Sequence, residues 1–180
     1  VFSIVQGTAF GVNQIVVKKY LGSAPLYKAP WFVTYDDVSY EVVGIGEGAY
    51  SGNESLVSVN LSEKMAVIGV KAFEGCTNLM AVAFGTGLEK IESRAFAGCS
   101  SLSTVTFVSE TVPEVAVDAF EGIADNCTGK CPENMEEAYG AVEGLSPIRF
   151  GLAGIEPVLI DEAETVEYYD FGGLRLATPI

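Results

Sequence analysis

The 180-residue chain contains no histidine. That excludes Ser-His-Asp and Cys-His nucleophilic catalysis and most zinc sites, which rely on imidazole. Cations are scarce as well: 10 Lys and Arg stand against 24 Asp and Glu, a formal net charge of −14. A nucleic acid needs cations to displace its counterions, so this balance argues against one, and equally against an anionic membrane surface. The acidity reads as solubility, with a site for cations or basic partners as the alternative. Unbroken apolar runs last only a few residues, as at Ile15–Val17, so none is long enough to cross a bilayer. The first residues show no charged-then-apolar leader. The Walker loop, the GxSxG elbow and the dinucleotide fingerprint are missing too.

What is present is core and repetition. Hydrophobic residues make up 49% of the chain, which argues against disorder throughout. Four phrases align: "AYSGNESLVSVNL" from Ala49, "AFEGCTNLMAVAF" from Ala72, "AFAGCSSLSTVTF" from Ala95 and "AFEGIAD" from Ala119. An aromatic follows each alanine (Tyr50, Phe73, Phe96, Phe120), and a glycine comes two later (Gly52, Gly75, Gly98, Gly122). Further columns are Leu56, Leu79 and Leu102, then Val59, Val82 and Val105, then Leu61, Phe84 and Phe107. Ile45, Ile68, Ile91 and Val115 precede the aromatics. A period of 23 residues is that of a solenoid coil in the leucine-rich range. The alternation in "LVSVNL", "LMAVAF" and "LSTVTF" marks a short strand with one buried face. Val59 and Leu61 then point inward and Ser58 and Asn60 outward. Stacked coils put each column in a ladder spaced about 4.8 Å apart. The expected fold is mainly β with short helical turns.

"IGVKAFEGCTNLMAVAF" and "IESRAFAGCSSLSTVTF" resemble the repeat of BspA-like bacterial leucine-rich repeat proteins of the Bacteroides surface-antigen type. The resemblance covers about residues 40–125. The first repeat departs from it at Tyr50 and Asn53, and the last at Ile123, as terminal repeats often do. The resemblance implies right-handed coils of about 23 residues, some 3.5 of them over residues 44–126. It also implies a monomeric, non-catalytic binding or adhesion protein without cofactor, exported to a cell surface or the medium.

The flanks read differently. Residues 1–43 form an N-terminal strand-rich cap. Within "PWFVTYDDVSYEVVGI", two strands flank a turn at Asp36–Asp37 and cover the open edge of the first coil. Two aspartates suit a tight turn; calcium binding is the alternative. Trp31, Tyr35 and Tyr40 either pack in this cap or offer a glycan platform. Residues 127–150 are a C-terminal cap with a helix starting near Pro132. Met135, Ala138, Tyr139 and Val142 line its apolar face, and Gly144 ends it. Residues 151–180 are an acidic linker and a truncated tail. "VEYYDFGGLRLATP" resembles the start of C-terminal sorting tails on exported Bacteroides proteins, with Tyr168, Tyr169, Asp170, Gly173, Arg175 and Pro179 matching.

Four cysteines remain. Cys76 and Cys99 share a ladder column and read as small buried hydrophobes, with a disulfide as the alternative. Cys127 and Cys131, in a loop outside the ladder, read as a local disulfide pinning the cap, with free thiols as the alternative. Acid pairs such as Glu136/Glu137 and Asp161/Glu162 read as solvated surface rather than a glycosidase dyad. The repeat leaves Ser58, Asn60, Ala81, Ala83, Thr104 and Thr106 facing outward, all small and uncharged. This sheet face is the expected contact for a protein partner. Trp31 and Tyr35 mark the alternative glycan site.

Overall fold

The computed structural model describes residues 14–20, 24–30, 32–35 and 37–151, together with the strand pairs 168–169 and 175–176. Two compact units divide the chain, Val1–Phe150 and Gly151–Ile180. In the second, Tyr168–Tyr169 pairs antiparallel with Arg175–Leu176. The remainder of the tail-like segment, and Asp161/Glu162, lie outside the described residues.

The first unit is a β-solenoid with two parallel sheets. Sheet 1 runs in the order β1 (Gln14–Val17), β4 (Val38–Ile45), β6 (Val67–Ile68), β8 (Lys90–Ile91), β10 (Glu114–Val115), with β3 (Phe32–Tyr35) attached to β4. Sheet 2 runs in the order β12 (Arg149–Phe150), β11 (Thr128–Lys130), β9 (Thr104–Thr106), β7 (Ala81–Ala83), β5 (Ser58–Asn60), β2 (Leu26–Lys28). One coil contributes a strand to each sheet. The turn between them carries the alanine–aromatic phrase. In register, Ile45, Ile68 and Ile91 stack in sheet 1, and Val59, Val82 and Val105 stack in sheet 2. All six are buried, and burying each contributes roughly 1.5–3 kcal/mol.

The aromatic column forms a continuous stack. Tyr20 lies over Tyr50 at 4.8 Å, Tyr50 over Phe73 at 4.8 Å, Phe73 over Phe96 at 5.1 Å and Phe96 over Phe120 at 5.0 Å. The glycine column has a backbone reason. Gly52, Gly75, Gly98 and Gly122 have φ between 69° and 72°, a region costly to residues with a Cβ. The N–H groups of Gly52, Gly75 and Gly98 also bond forward, as from Gly75 to the Ala97 carbonyl at 2.8 Å. A Cβ on Gly98 would meet nothing nearer than 3.7 Å. Gly98→Ala is therefore expected to cost about 1–2 kcal/mol through φ alone. Urea titration checks this; a loss below 0.3 kcal/mol would show that the turn relaxes freely.

Cys76 and Cys99 are free thiols. The Cys76 Sγ donates to the Tyr50 carbonyl at 3.1 Å, and the Cys99 Sγ to the Phe73 carbonyl at 3.2 Å. The column is thus hydrogen-bonded to the backbone of the preceding coil as well as apolar. The adjoining Cys76 side chain and burial push the Cys99 thiol up, which keeps it protonated and unreactive.

The ladder extends beyond the repeated phrase at both ends. β1 and β2 build a coil ahead of the first repeat, pairing with β4 and β5. Ile15 and Val17 are buried there. At the other end, β11 continues sheet 2 beside β9, and β12 follows. The expected hairpin forms: Phe32 pairs with Glu41 and Tyr35 with Val38, and Asp37 takes φ 58° in the turn. It does not cover the open edge, however. Glu41 pairs with β1 on one side and β3 on the other, so β1 occupies that edge of β4. The C-terminal helix is shorter than its apolar spacing predicts, α1 spanning Glu136–Gly140. Gly144 does not end it. It lies in a 3-10 turn, Glu143–Leu145, where a Cβ would come within 2.5 Å of the Ala116 carbonyl.

Candidate binding face

The outward residues of sheet 2 form two continuous columns. One runs Leu26, Ser58, Ala81, Thr104, Thr128, Arg149; the other runs Lys28, Asn60, Ala83, Thr106, Lys130. All six residues expected from the repeat, Ser58, Asn60, Ala81, Ala83, Thr104 and Thr106, lie on this face. Five of them are half-buried and Asn60 is exposed. Each is flanked along its strand by a buried valine (Val59, Val82 or Val105), so period-2 alternation fixes which way it points. The backbone hydrogen bonds of these strands are shared between coils, which makes the face a rigid plane.

The structure adds five residues that the repeat did not mark: Leu26, Lys28, Thr128, Lys130 and Arg149. Leu26 is 70% exposed. Met80, just ahead of β7, is 52% exposed. The signal for β11 lay in the register: Thr128 is 24 residues beyond Thr104, the spacing already seen between Ala95 and Ala119.

The charge arrangement separates this face from the other surfaces. On the other surfaces three cations are neutralised, Lys71 by Glu74, Lys90 by Glu114, and Arg94 by both Glu74 at 2.7 Å and Glu121 at 2.8 Å, while Lys18 and Lys64 stand exposed. Beside that network the Ser93 hydroxyl donates to Asp118 at 2.8 Å and holds its carboxyl below the ordinary range. On sheet 2 none of the cations is paired in this way. Lys28, Lys130 and Arg149 are exposed and have no carboxylate partner among the described residues. Neither outward column contains an Asp or Glu.

The other candidates fare differently. Trp31 lies outside the described residues. Tyr35 is placed by its backbone at the end of β3, a strand of sheet 1, so it does not share the sheet 2 face. Cys127 and Cys131 are free, which corrects the local disulfide expected between them. They flank β11, and an extended strand carries residues four apart to about 13 Å between Cα atoms, well beyond disulfide reach. Cys127 is buried in the core, and burial pushes its thiol up to about 11. Glu136 and Glu137 sit at the start of α1, away from any second carboxylate cluster; among the described residues no group of three or more His, Cys, Asp or Glu could hold a metal. No helix among them is long and apolar enough to cross a membrane.

Comparison with known proteins places this geometry. The model of the BspA-type leucine-rich repeat region matches residues 35–140, in six copies. A leucine-rich repeat protein of T. pallidum superposes with a TM-score of 0.58 at 25% identity, over 72% of this chain and 60% of that one. This chain thus spans less than two thirds of the treponemal protein. A leucine-rich repeat protein of Bacteroides capillosus superposes with a TM-score of 0.57 at 23% identity, over 68% of this chain and 91% of that one. A leucine-rich cell surface protein of Faecalibacterium prausnitzii aligns with 96% of this chain and 57% of its own, with a TM-score of 0.50 at 18% identity. Among curated proteins no sequence matches.

Proposed function

Because the chain belongs to the BspA-type leucine-rich repeat family, we propose that it is a non-catalytic binding module that takes a protein partner on the outward face of sheet 2. The carrying observation is the continuity of that face. Six strands stack in one parallel sheet, and the four inner ones present only small or short polar side chains in both columns apart from Lys130. A flat, pre-ordered plane costs little entropy to bind and admits close approach of a partner backbone. Solenoids use such extended surfaces for recognition. The reading includes a role outside the cytoplasm, as an adhesion or contact protein at a cell surface. Two things support that: the structurally similar Faecalibacterium protein is a leucine-rich cell surface protein, and residues 166–179 resemble a sorting tail.

The test is capture of protein ligands from panels of extracellular-matrix and bacterial surface proteins by the immobilised chain, repeated with Ala83→Arg and Thr106→Arg. Both substitutions put a long cation at the centre of the plane without touching the core. Affinity for any captured ligand is expected to fall at least tenfold, equivalent to about 1.4 kcal/mol. Unchanged affinity in both variants would move the interface off sheet 2.

A further inference from the structure

The electrostatics of the same face narrow the partner, an inference that rests on sheet 2 being the interface. The chain has a formal charge of −14, yet the two outward columns carry Lys28, Lys130 and Arg149 and no carboxylate. Lys28 stands at one end of its column and Lys130 at the other, separated by Asn60, Ala83 and Thr106. Four ladder steps make the span about 19 Å. Arg149 extends the neighbouring column beyond Thr128. Between these end charges lie only the short side chains of Ser, Thr, Asn and Ala, with Leu26 exposed on the strand that carries Lys28.

The sheet keeps the Lys28 and Lys130 ends apart at a fixed distance. Opposite charge supplied across an interface gives register and steering more than bulk affinity. We infer that sheet 2 recognises an extended protein segment running across its strands, with acidic side chains about six residues apart that meet Lys28 at one end and Lys130 with Arg149 at the other. Six residues of extended chain span about 20 Å, which matches the ladder. The residues between would be small or polar, lying on Ala83 and hydrogen-bonding the hydroxyls of Thr104 and Thr106.

A densely charged polyanion such as a sulfated glycan fits less well. The segments next in sequence to these strands carry Glu54, Glu63, Glu110, Asp125 and Glu133, all exposed, and they add to the net negative charge that a polyanion would meet. Binding is therefore selective for carboxylates at separated points rather than for negative charge in general.

The probe is a fluorescein-labelled peptide of Ser, Thr and Gly bearing two aspartates six positions apart, read by anisotropy at low salt. Against it stand the same peptide with both aspartates as asparagines, one with aspartates three apart, and a heparin hexasaccharide. The six-apart acidic peptide is expected to bind at least fivefold tighter than either control peptide. Lys28→Glu with Lys130→Glu should abolish that preference, while Lys64→Glu, on a turn outside the columns, should leave it intact. Equal binding of the three peptides, tighter binding of heparin, or a preference that survives the double substitution each overturns the inference. The Ala83→Arg capture experiment separates the levels. If it weakens protein capture while the acidic preference is missing, only the charge rule fails. If it leaves capture unchanged, the interface itself is elsewhere.

Discussion

Replacing Phe96 by alanine is expected to lower the stability of the solenoid by about 4–5 kcal/mol, the upper part of the usual range for a buried aromatic. Phe96 is fully buried and stacks on both faces, on Phe73 at 5.1 Å and Phe120 at 5.0 Å, with Phe84 edge-on at 5.8 Å. Aromatic pairs contribute about 0.5–1.5 kcal/mol each beyond area burial, so this one truncation removes three of them. Its position matters as much as its size. A coil in a solenoid is coupled only to its neighbours, so a cavity in this coil weakens the link between the halves. Thermal melts should shift down by roughly 10–15 °C, and urea unfolding should broaden or split into two steps. Phe120→Ala, whose ring stacks on Phe96 on one side, should cost about 1 kcal/mol less. Leucine at position 96 should recover more than half of the loss by refilling volume. A single sharp transition for Phe96→Ala with less than 1.5 kcal/mol lost would mean that the coils are not held by the aromatic stack.

The parts of the fold legible in the sequence are those where the same physical demand recurs every coil. Tyr50, Phe73, Phe96 and Phe120 must fill the same space, and Gly52, Gly75, Gly98 and Gly122 must adopt the same positive φ. Columns of identical demand leave columns of similar residues. The coil of β1 and β2 was illegible for the opposite reason. β1 precedes its partner β4 by 27 or 28 residues, with a register shift after Ile15, and β2 precedes β5 by 32. The hairpin of β3 and β4 is inserted between them, so the period is lost although Tyr20 still stacks on Tyr50. β11 was hidden differently: Gly129 replaces the valine of its column because the Phe150 ring lies where a Cβ would stand, 2.2 Å from the nearest ring atom. The ring of one residue substitutes for the side chain of another, which no column of identities can record. The proposed binding face follows the same division. Its small central residues were readable from alternation, whereas its charged ends depend on which distant strands join the sheet.

That end of the sheet depends on Tyr139, and its removal is the second large effect. Tyr139 is fully buried, with its ring 4.8 Å from Phe107 and 5.7 Å from Phe150. Its hydroxyl donates to the Ser109 carbonyl at 2.8 Å. Tyr139→Ala should cost about 4 kcal/mol through the cavity and leave that carbonyl without its donor, a further penalty of about 1–3 kcal/mol. Tyr139→Phe removes only the hydrogen bond and should cost about 1–2 kcal/mol. The two variants thus divide packing from hydrogen bonding. A pH series adds an independent readout. Burial, with the charge of Cys131 behind it, raises the Tyr139 hydroxyl from 10.0 to about 12. The folded state therefore holds this proton more tightly than the unfolded chain does. Its contribution is fully present below pH 10 and is lost as pH rises through about 12. Wild-type protein should lose stability across that window more steeply than Tyr139→Phe. Since β12 packs through Phe150 on this ring, Tyr139→Ala should also release Arg149 from the proposed binding face. It would weaken the preference for spaced carboxylates at the Lys130 end while Lys28 stays in place. A Tyr139→Ala protein as stable as wild type, or one with the same alkaline slope as wild type, would show that the solenoid ends at β11 without need of this cap.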